Sequence, residues 1–134
     1  LGEVLEESIV GYYGDLKDAG IEPEIFIPEE KIVRPLNRAA LSRIFANVLS
    51  NAVKYSSGDL IITLGADGNI EFSNHAPLLD EVTVGRLFDR FYTVENGKNS
   101  TGLGLSIAKI LTEQMGGEIY AGLEDGLFTI RLSF

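Results

Sequence analysis

The sequence predicts an α+β fold in which a mixed sheet of about five strands carries three main helices on one face. Three observations predict it. Helical stretches with one apolar stripe are interspersed with short strand-like runs, and two pairs of those runs flank an Asp-Gly turn. The 134 residues are enough for one such core and too few for two, so residues 1–134 form a single domain.

From Leu1 to Asp18, the residues Leu5, Ile9, Tyr12, Leu16 and Ala19 recur at three- and four-residue steps, predicting an amphipathic helix that Gly20 closes. Gly11 and Gly14 lie inside it at about 1 kcal/mol each relative to Ala, so packing must hold this helix. Ile21, Ile25 and Ile27 then alternate with other residues, and Lys31 to Arg34 is a further extended run between Pro28 and Pro35. Both read as short strands.

The helix Asn37 to Ser56 is the best marked. Leu41, Ile44, Phe45, Val48, Leu49 and Ala52 fall at i, i+3, i+4, i+7, i+8 and i+11. Asn37 is placed to cap it, Leu36 and Leu41 to staple its entry, and Ser57-Gly58 to stop it. Leu60, Ile62 and Leu64 alternate next, and Asp67-Gly68 turns the chain into Ile70 and Phe72. Asn74 shares their parity and is expected on the core side. Short helical pieces follow around Glu81 to Leu87, then the polar run Glu95 to Ser100, read as a mobile loop. Leu105 to Met115 restores helical spacing before Gly116-Gly117. A closing hairpin pairs Ile119 to Leu123 with Leu127 to Phe134 across Asp125-Gly126.

Composition limits the chemistry. Net charge −9 disfavours a diffuse basic surface for nucleic acid, so any anion must be held locally. The absence of Cys excludes a thiol nucleophile and thiolate-bound metals, and one His leaves no His-rich metal site. No long uninterrupted apolar stretch is present, so the segment is expected to be soluble, although it could be part of a longer membrane-anchored protein.

Two features could act on a ligand. At about 100° per residue, Asn47, Asn51 and Lys54 fall within roughly 60° of one another beside the apolar stripe of their helix. Carboxamide oxygens suit a hard cation such as Mg²⁺, amide N–H groups suit phosphate oxygens, and Lys adds a point charge. Taken alone, the ridge equally fits a solvated helix face. The second feature is Ser100-Thr101-Gly102-Leu103-Gly104-Leu105, a glycine pair opening a helix whose free N–H groups favour an anion. It is neither a dinucleotide fingerprint nor a P-loop, and a tight helix entry would also account for it.

Three segments resemble motifs of one family. Arg43 to Ser56 is similar to the N box of sensor histidine kinases, Leu87-Phe88-Asp89-Arg90-Phe91-Tyr92 to their F box, and Thr101 to Lys109 to their second glycine box. Order and spacing also agree, and the likeness spans essentially the whole chain, which resembles the catalytic ATP-binding domain of a two-component histidine kinase. The resemblance implies the Bergerat-type two-layer α/β sandwich of the gyrase, heat-shock chaperone, histidine kinase and mismatch-repair superfamily.

It further implies ATP and Mg²⁺ as cofactors. Asn47 and Asn51 would meet the metal, and Asn51 also phosphate. Lys54 and Tyr55 would contact the phosphates and the nucleotide edge, and the backbone of Gly102, Leu103, Gly104 and Leu105, following Ser100 and Thr101, would cradle the triphosphate. Residues 93–101 would form a short ATP lid, with Phe88 and Phe91 at its hinge. Asn74, Ala76 and Leu79 would lie at the base. The implied reaction is transfer of the γ-phosphoryl group to a histidine on a separate dimerisation and phosphoacceptor domain of the parent, upstream of a response regulator. The implied location is cytoplasmic, on a parent anchored in the cell membrane, with no nucleic acid and no direct membrane contact by this domain. The alternative is a degenerate nucleotide-binding regulatory module without kinase activity.

Departures from the family pattern carry expectations of their own. The superfamily's hydrolases place a Glu one turn before the position matching Asn51, where this chain has Asn47, and an amide has no useful basicity near pH 7. Hydrolysis by the domain alone is expected to be poor. The usual Asp-x-Gly-x-Gly reads Asn74-His75-Ala76-Pro77-Leu78. A freely rotating Asn74 amide would accept from adenine or donate to guanine, predicting weak discrimination between ATP and GTP. Thr93 follows the F box where a basic residue is usual, so Arg90 or Lys98 would meet the γ-phosphate. His75 is read as a solvent-facing loop residue rather than the phosphoacceptor.

Overall fold

The computed structural model describes residues 2–29, 36–77, 79–88 and 104–134. In chain order the elements are α1 (Gly2–Asp18), β1 (Glu22–Phe26), α2 (Arg38–Tyr55), β2 (Asp59–Leu64), β3 (Asn69–His75), α3 (Glu81–Gly85), α4 (Gly104–Gln114), β4 (Glu118–Glu124) and β5 (Leu127–Ser133). The strands form one five-stranded sheet in the order β1-β2-β3-β5-β4. Among the described residues, only β1 runs parallel to its neighbour, with Ile25 opposite Ile62; the other pairings are antiparallel. The mixed α+β architecture is as expected.

Alternation fixes which face is covered. Leu60, Ile62 and Leu64 of β2, Ile70, Phe72 and Asn74 of β3, and Phe128, Ile130 and Leu132 of β5 are all buried, while their neighbours in sequence are more exposed. On that face lies α2, flanked by α1 and α4. Its buried Leu41, Ile44, Phe45, Val48, Leu49 and Ala52 are the residues its periodicity picks out. The Phe45 and Phe72 rings meet across the layers with centroids 6.3 Å apart and planes tilted by 46°.

The ends of α2 are chemically defined. Asn37 is the N-cap, its side-chain oxygen accepting the Ala40 N–H at 3.0 Å, and Leu36 packs partly buried against the core beside buried Leu41. At the other end the Ser56 N–H donates to the Ala52 carbonyl at 2.9 Å. Replacing Asn37 with Ala leaves the Ala40 donor without its cap and is expected to cost about 1 kcal/mol. Urea unfolding of the two proteins checks this, and an unchanged midpoint would show the cap to be dispensable.

Helix α1 buries Val4, Leu5, Ile9 and Leu16, so its stripe includes Val4, while Ala19 lies past its end and is exposed. Gly20 then turns the chain at φ +76°, a conformation that Gly adopts without penalty. In β1, which is the edge of the sheet among the described residues, Ile25 and Phe26 are 42% and 57% exposed. The expected strand Lys31 to Arg34 and the loop Glu95 to Ser100 lie outside the described residues.

Candidate functional site

The polar ridge forms where helical geometry puts it. On α2, Asn51 is buried at 9% exposure and Tyr55 at 5%, while Asn47 and Lys54 are half-buried. The ridge therefore borders the core rather than projecting into solvent. The Lys54 Nζ lies 5.1 Å from the centroid of the Tyr55 ring, a cation–π distance that keeps the charge at the C-terminal end of the helix.

Asn47 meets α4. A Cβ added to Gly104, the first residue of α4, would lie 4.0 Å from both Cγ and Oδ1 of Asn47. The carboxamide oxygen of the ridge and the helix opening after the glycine pair thus face one another, so the two features come together in space. Among the described residues, the Asn47 Nδ2 is the buried side-chain polar atom with no hydrogen-bond partner. Leaving such a donor unpaired costs about 1–3 kcal/mol, so a group that approaches there and accepts a hydrogen bond is favoured. The start of an eleven-residue helix adds the positive end of its dipole. A carboxamide oxygen, an amide donor and a helix start suit a hard cation shared with phosphate oxygens, and so fit Mg²⁺ with a polyphosphate.

Leu105 is buried at the start of α4. Phe88 is partly buried against the core with the Lys109 Nζ 5.8 Å from its ring centroid, which ties the segment after α3 to α4. Arg90, Phe91, Lys98, Ser100, Thr101, Gly102 and Leu103, with the lid 93–101, lie outside the described residues.

Asn74 occupies the last inward position of β3, at 2% exposure, opposite Phe128 of β5. Its Nδ2 donates to the His75 carbonyl at 3.2 Å. Ala76 and Leu79 follow, buried at 1% and 7%, with the Ala76 N–H donating to the Gly126 carbonyl at 3.0 Å. His75 differs from its expected setting. Its ring is exposed, but the residue ends β3 rather than standing in a loop, and it pairs with Asp59. The His75 N–H donates to Asp59 Oδ1 at 2.9 Å and the ring Nδ1 lies 2.7 Å from Oδ2. Burial pushes the Asp59 carboxyl up, but the side-chain and backbone hydrogen bonds from His75 outweigh it, so the group is held below the usual carboxylate range. Sequence reasoning missed this pair. The only available signal was an Asp directly after the Ser57-Gly58 helix stop, which carries no register by itself.

Comparison with known proteins places this geometry in a family. Residues 36–134 match the family described as histidine kinase-, DNA gyrase B- and HSP90-like ATPase. The chain is 37% identical over 128 residues to sensor histidine kinase YcbM of Bacillus subtilis, an alignment covering 89% of this chain and 41% of that protein. Against sensor protein VanS of Enterococcus faecium, identity is 35% over 130 residues, covering 90% of this chain and 33% of the relative. The chain thus spans well under half the length of these two curated relatives. Among solved structures, the nucleotide-free catalytic domain of histidine kinase ThkA shares the fold, with a TM-score of 0.83 at 22% identity over 98% of this chain and 90% of that one. Full-length ShkA in complex with AMPPNP gives a TM-score of 0.73 at 27% identity, over 96% of this chain and 29% of that one. Among the described residues no helix is long and apolar enough to cross a membrane. Since the matched span holds α2 with its ridge, the start of α4 and the strands β2 to β5, this chain belongs to the histidine kinase-, DNA gyrase B- and HSP90-like ATPase family and resembles, within it, the catalytic domains of sensor histidine kinases.

Proposed function

We propose that this domain binds Mg-ATP between α2 and the segment entering α4, and donates the γ-phosphoryl group to a histidine of a separate dimerisation and phosphoacceptor domain of its parent protein. The parent would then be a sensor kinase anchored in the membrane, with this domain in the cytoplasm and a response regulator as the next acceptor. The observation that carries this is the approach of the Asn47 carboxamide to Gly104, which brings the ridge and the helix opening to one place.

Asn47 and Asn51 would hold the metal through their amide oxygens, and Lys54 would meet phosphate oxygens. Gly104 and Leu105 would offer backbone N–H groups to the triphosphate. Tyr55, Asn74, Ala76 and Leu79 would line the nucleoside end. Arg90, Lys98 and the stretch Ser100 to Leu103 enter this proposal from the sequence alone. Magnesium, when bound, neutralises phosphate charge and helps align the transferring group. In the transfer the bond from the γ-phosphorus to the bridging oxygen breaks, a bond to an imidazole nitrogen forms, and ADP leaves. This chain contributes position and charge rather than a base. Asn47 stands where a general base would be needed for hydrolysis, and its carboxamide cannot take a proton from water near pH 7.

The test supplies the domain with Mg-ATP labelled at the γ position and a separately prepared acceptor hairpin of a related kinase. Labelling of the hairpin that disappears when its histidine is replaced supports the proposal. Tight Mg-ATP binding with no labelling favours a regulatory module, and rapid steady-state phosphate release without any acceptor favours a hydrolase.

A further inference from the structure

Helix α1 carries a second stripe that its own fold leaves bare. Its core side holds Leu5, Ile9 and Leu16, while Glu6, Val10, Tyr13 and Lys17 fall within roughly 60° of one another on an adjoining side. Val10 is 74% and Tyr13 58% exposed. Beside them runs an open groove of about 680 Å³ between α1 and β1, lined by Ile9, Tyr13, Lys17, Pro23 and the exposed Ile25. Three large apolar side chains thus stand uncovered at one edge of the molecule. Gly11 and Gly14 lie in the same helix, and a Cβ at either would meet nothing within 4 Å. Packing within the chain requires neither glycine, although each weakens a helix relative to Ala. Gly14 lies one turn from Val10, where the missing side chain lets another backbone come close.

The stripe is complementary to itself. Glu6 stands four residues before Val10 and Lys17 four after Tyr13, so acid and base lie equally far from the midpoint of the apolar pair. Turned over on a two-fold axis, a second copy of α1 runs antiparallel to the first. It sets Val10 against the other copy's Tyr13 and Glu6 against the other copy's Lys17, with each contact made twice. The two charges cannot meet within one helix, because eleven residues of 1.5 Å rise hold them about 16 Å apart. Neither has an ion-pair partner among the described residues. The β1 edge below is a poor template for an added strand, since Pro23 lacks an N–H and Glu22 and Glu24 are exposed acids there. The helix face is therefore the part of this edge suited to a partner.

We propose that α1 is a self-association surface through which two copies of this domain pair antiparallel about a two-fold axis, with Val10 and Tyr13 at the apolar centre and a Glu6–Lys17 ion pair at each end. One helix face covers less than the roughly 800 Å² per partner of a stable dimer. Each copy also carries a net charge of −9, so the contact is weak. A Kd of about 0.1–1 mM is expected. The proposed parent would hold two copies on one dimerisation domain at an effective concentration of about that order, enough to bring the two α1 helices together and fix the spacing of the two sites. That last step rests on the proposed function; the contact itself does not.

Sedimentation equilibrium of the chain at concentrations up to about 1 mM, in salt that screens charges beyond about 8 Å, tests this. The native chain is expected to show a monomer–dimer equilibrium. Val10→Ser combined with Tyr13→Ser should weaken it by more than about tenfold. Lys17→Glu alone, or Glu6→Lys alone, sets like charges together at both ends and should weaken it by about fivefold to tenfold. The decisive sample mixes the two single variants. One then offers two acids and the other two bases, so both ion pairs re-form, and the mixture should dimerise at least as well as the native chain. All four side chains are exposed, and melting curves check that the variants fold. A native chain that stays monomeric throughout, or one whose association none of these substitutions changes, overturns the proposal. So does a mixture that associates no better than its separate components. Mg-ATP affinity of dilute Lys17→Glu should match that of the native chain; absence of Mg-ATP binding by the native chain would remove the proposed function and leave this contact standing.

Discussion

Replacing Asn51 with Ala is expected to weaken Mg-ATP binding by more than about 1.5 kcal/mol, over tenfold in affinity, while leaving the domain folded. Asn51 is 9% exposed and lies one turn beyond Asn47 on the same side of α2, beside the stripe that packs on the sheet. Its carboxamide adds nothing to the apolar core, and Ala is the better helix former, so the thermal midpoint should hold or rise. That combination, a loss of binding with no loss of stability, distinguishes a ligand contact from a structural residue. Calorimetric titration with a melting curve on the same samples reads both. Unchanged affinity would remove Asn51 from the site, and a lower midpoint with proportionally weaker binding would make it a packing residue.

The largest loss of stability should come from Phe45→Ala. Phe45 is fully buried at the crossing of α2 and β3, with its ring against Phe72. Truncation removes the buried area of an aromatic side chain and leaves a cavity between the layers, at about 3–5 kcal/mol. Domains of this size are stable by only about 5–15 kcal/mol, so the variant should be close to unfolding. Urea denaturation measures the difference. A loss below about 1 kcal/mol would show that α2 does not pack on the sheet through this residue, and the placement of the ridge above β3 would lose its support.

The parts of the fold that depend on local pattern were legible in the sequence. The 3.6-residue period of Leu41 to Ala52 and the capping Asn37 reappear in α2, and the Asp-Gly turns reappear between β2 and β3 and between β4 and β5. Non-local pairing was not legible. Nothing in Glu22 to Phe26 says that β1 joins β2 in parallel across a whole helix, or that β5 inserts between β3 and β4. Ile25 and Phe26 are exposed there despite their hydrophobicity.

The candidate site divides in the same way. Helical spacing alone brings Asn47, Asn51 and Lys54 to one side of α2. The approach of Asn47 to Gly104 joins residues far apart in sequence, and only the family resemblance pointed to it. The Asp59–His75 pair was out of reach because the register between the start of β2 and the end of β3 decides it. A one-residue slip would send His75 to the other face of the sheet.

The central claim is that the carboxamides of α2 and the amides opening α4 surround one metal-bound triphosphate, and paramagnetic relaxation tests it most directly. With Mn²⁺ in place of Mg²⁺ and ATP present, the side-chain amide signals of Asn47 and Asn51 and the backbone amide signals of Gly104 and Leu105 should broaden together, while those of α1 stay sharp. Broadening at one of the two helices alone, or at neither, would contradict the claim.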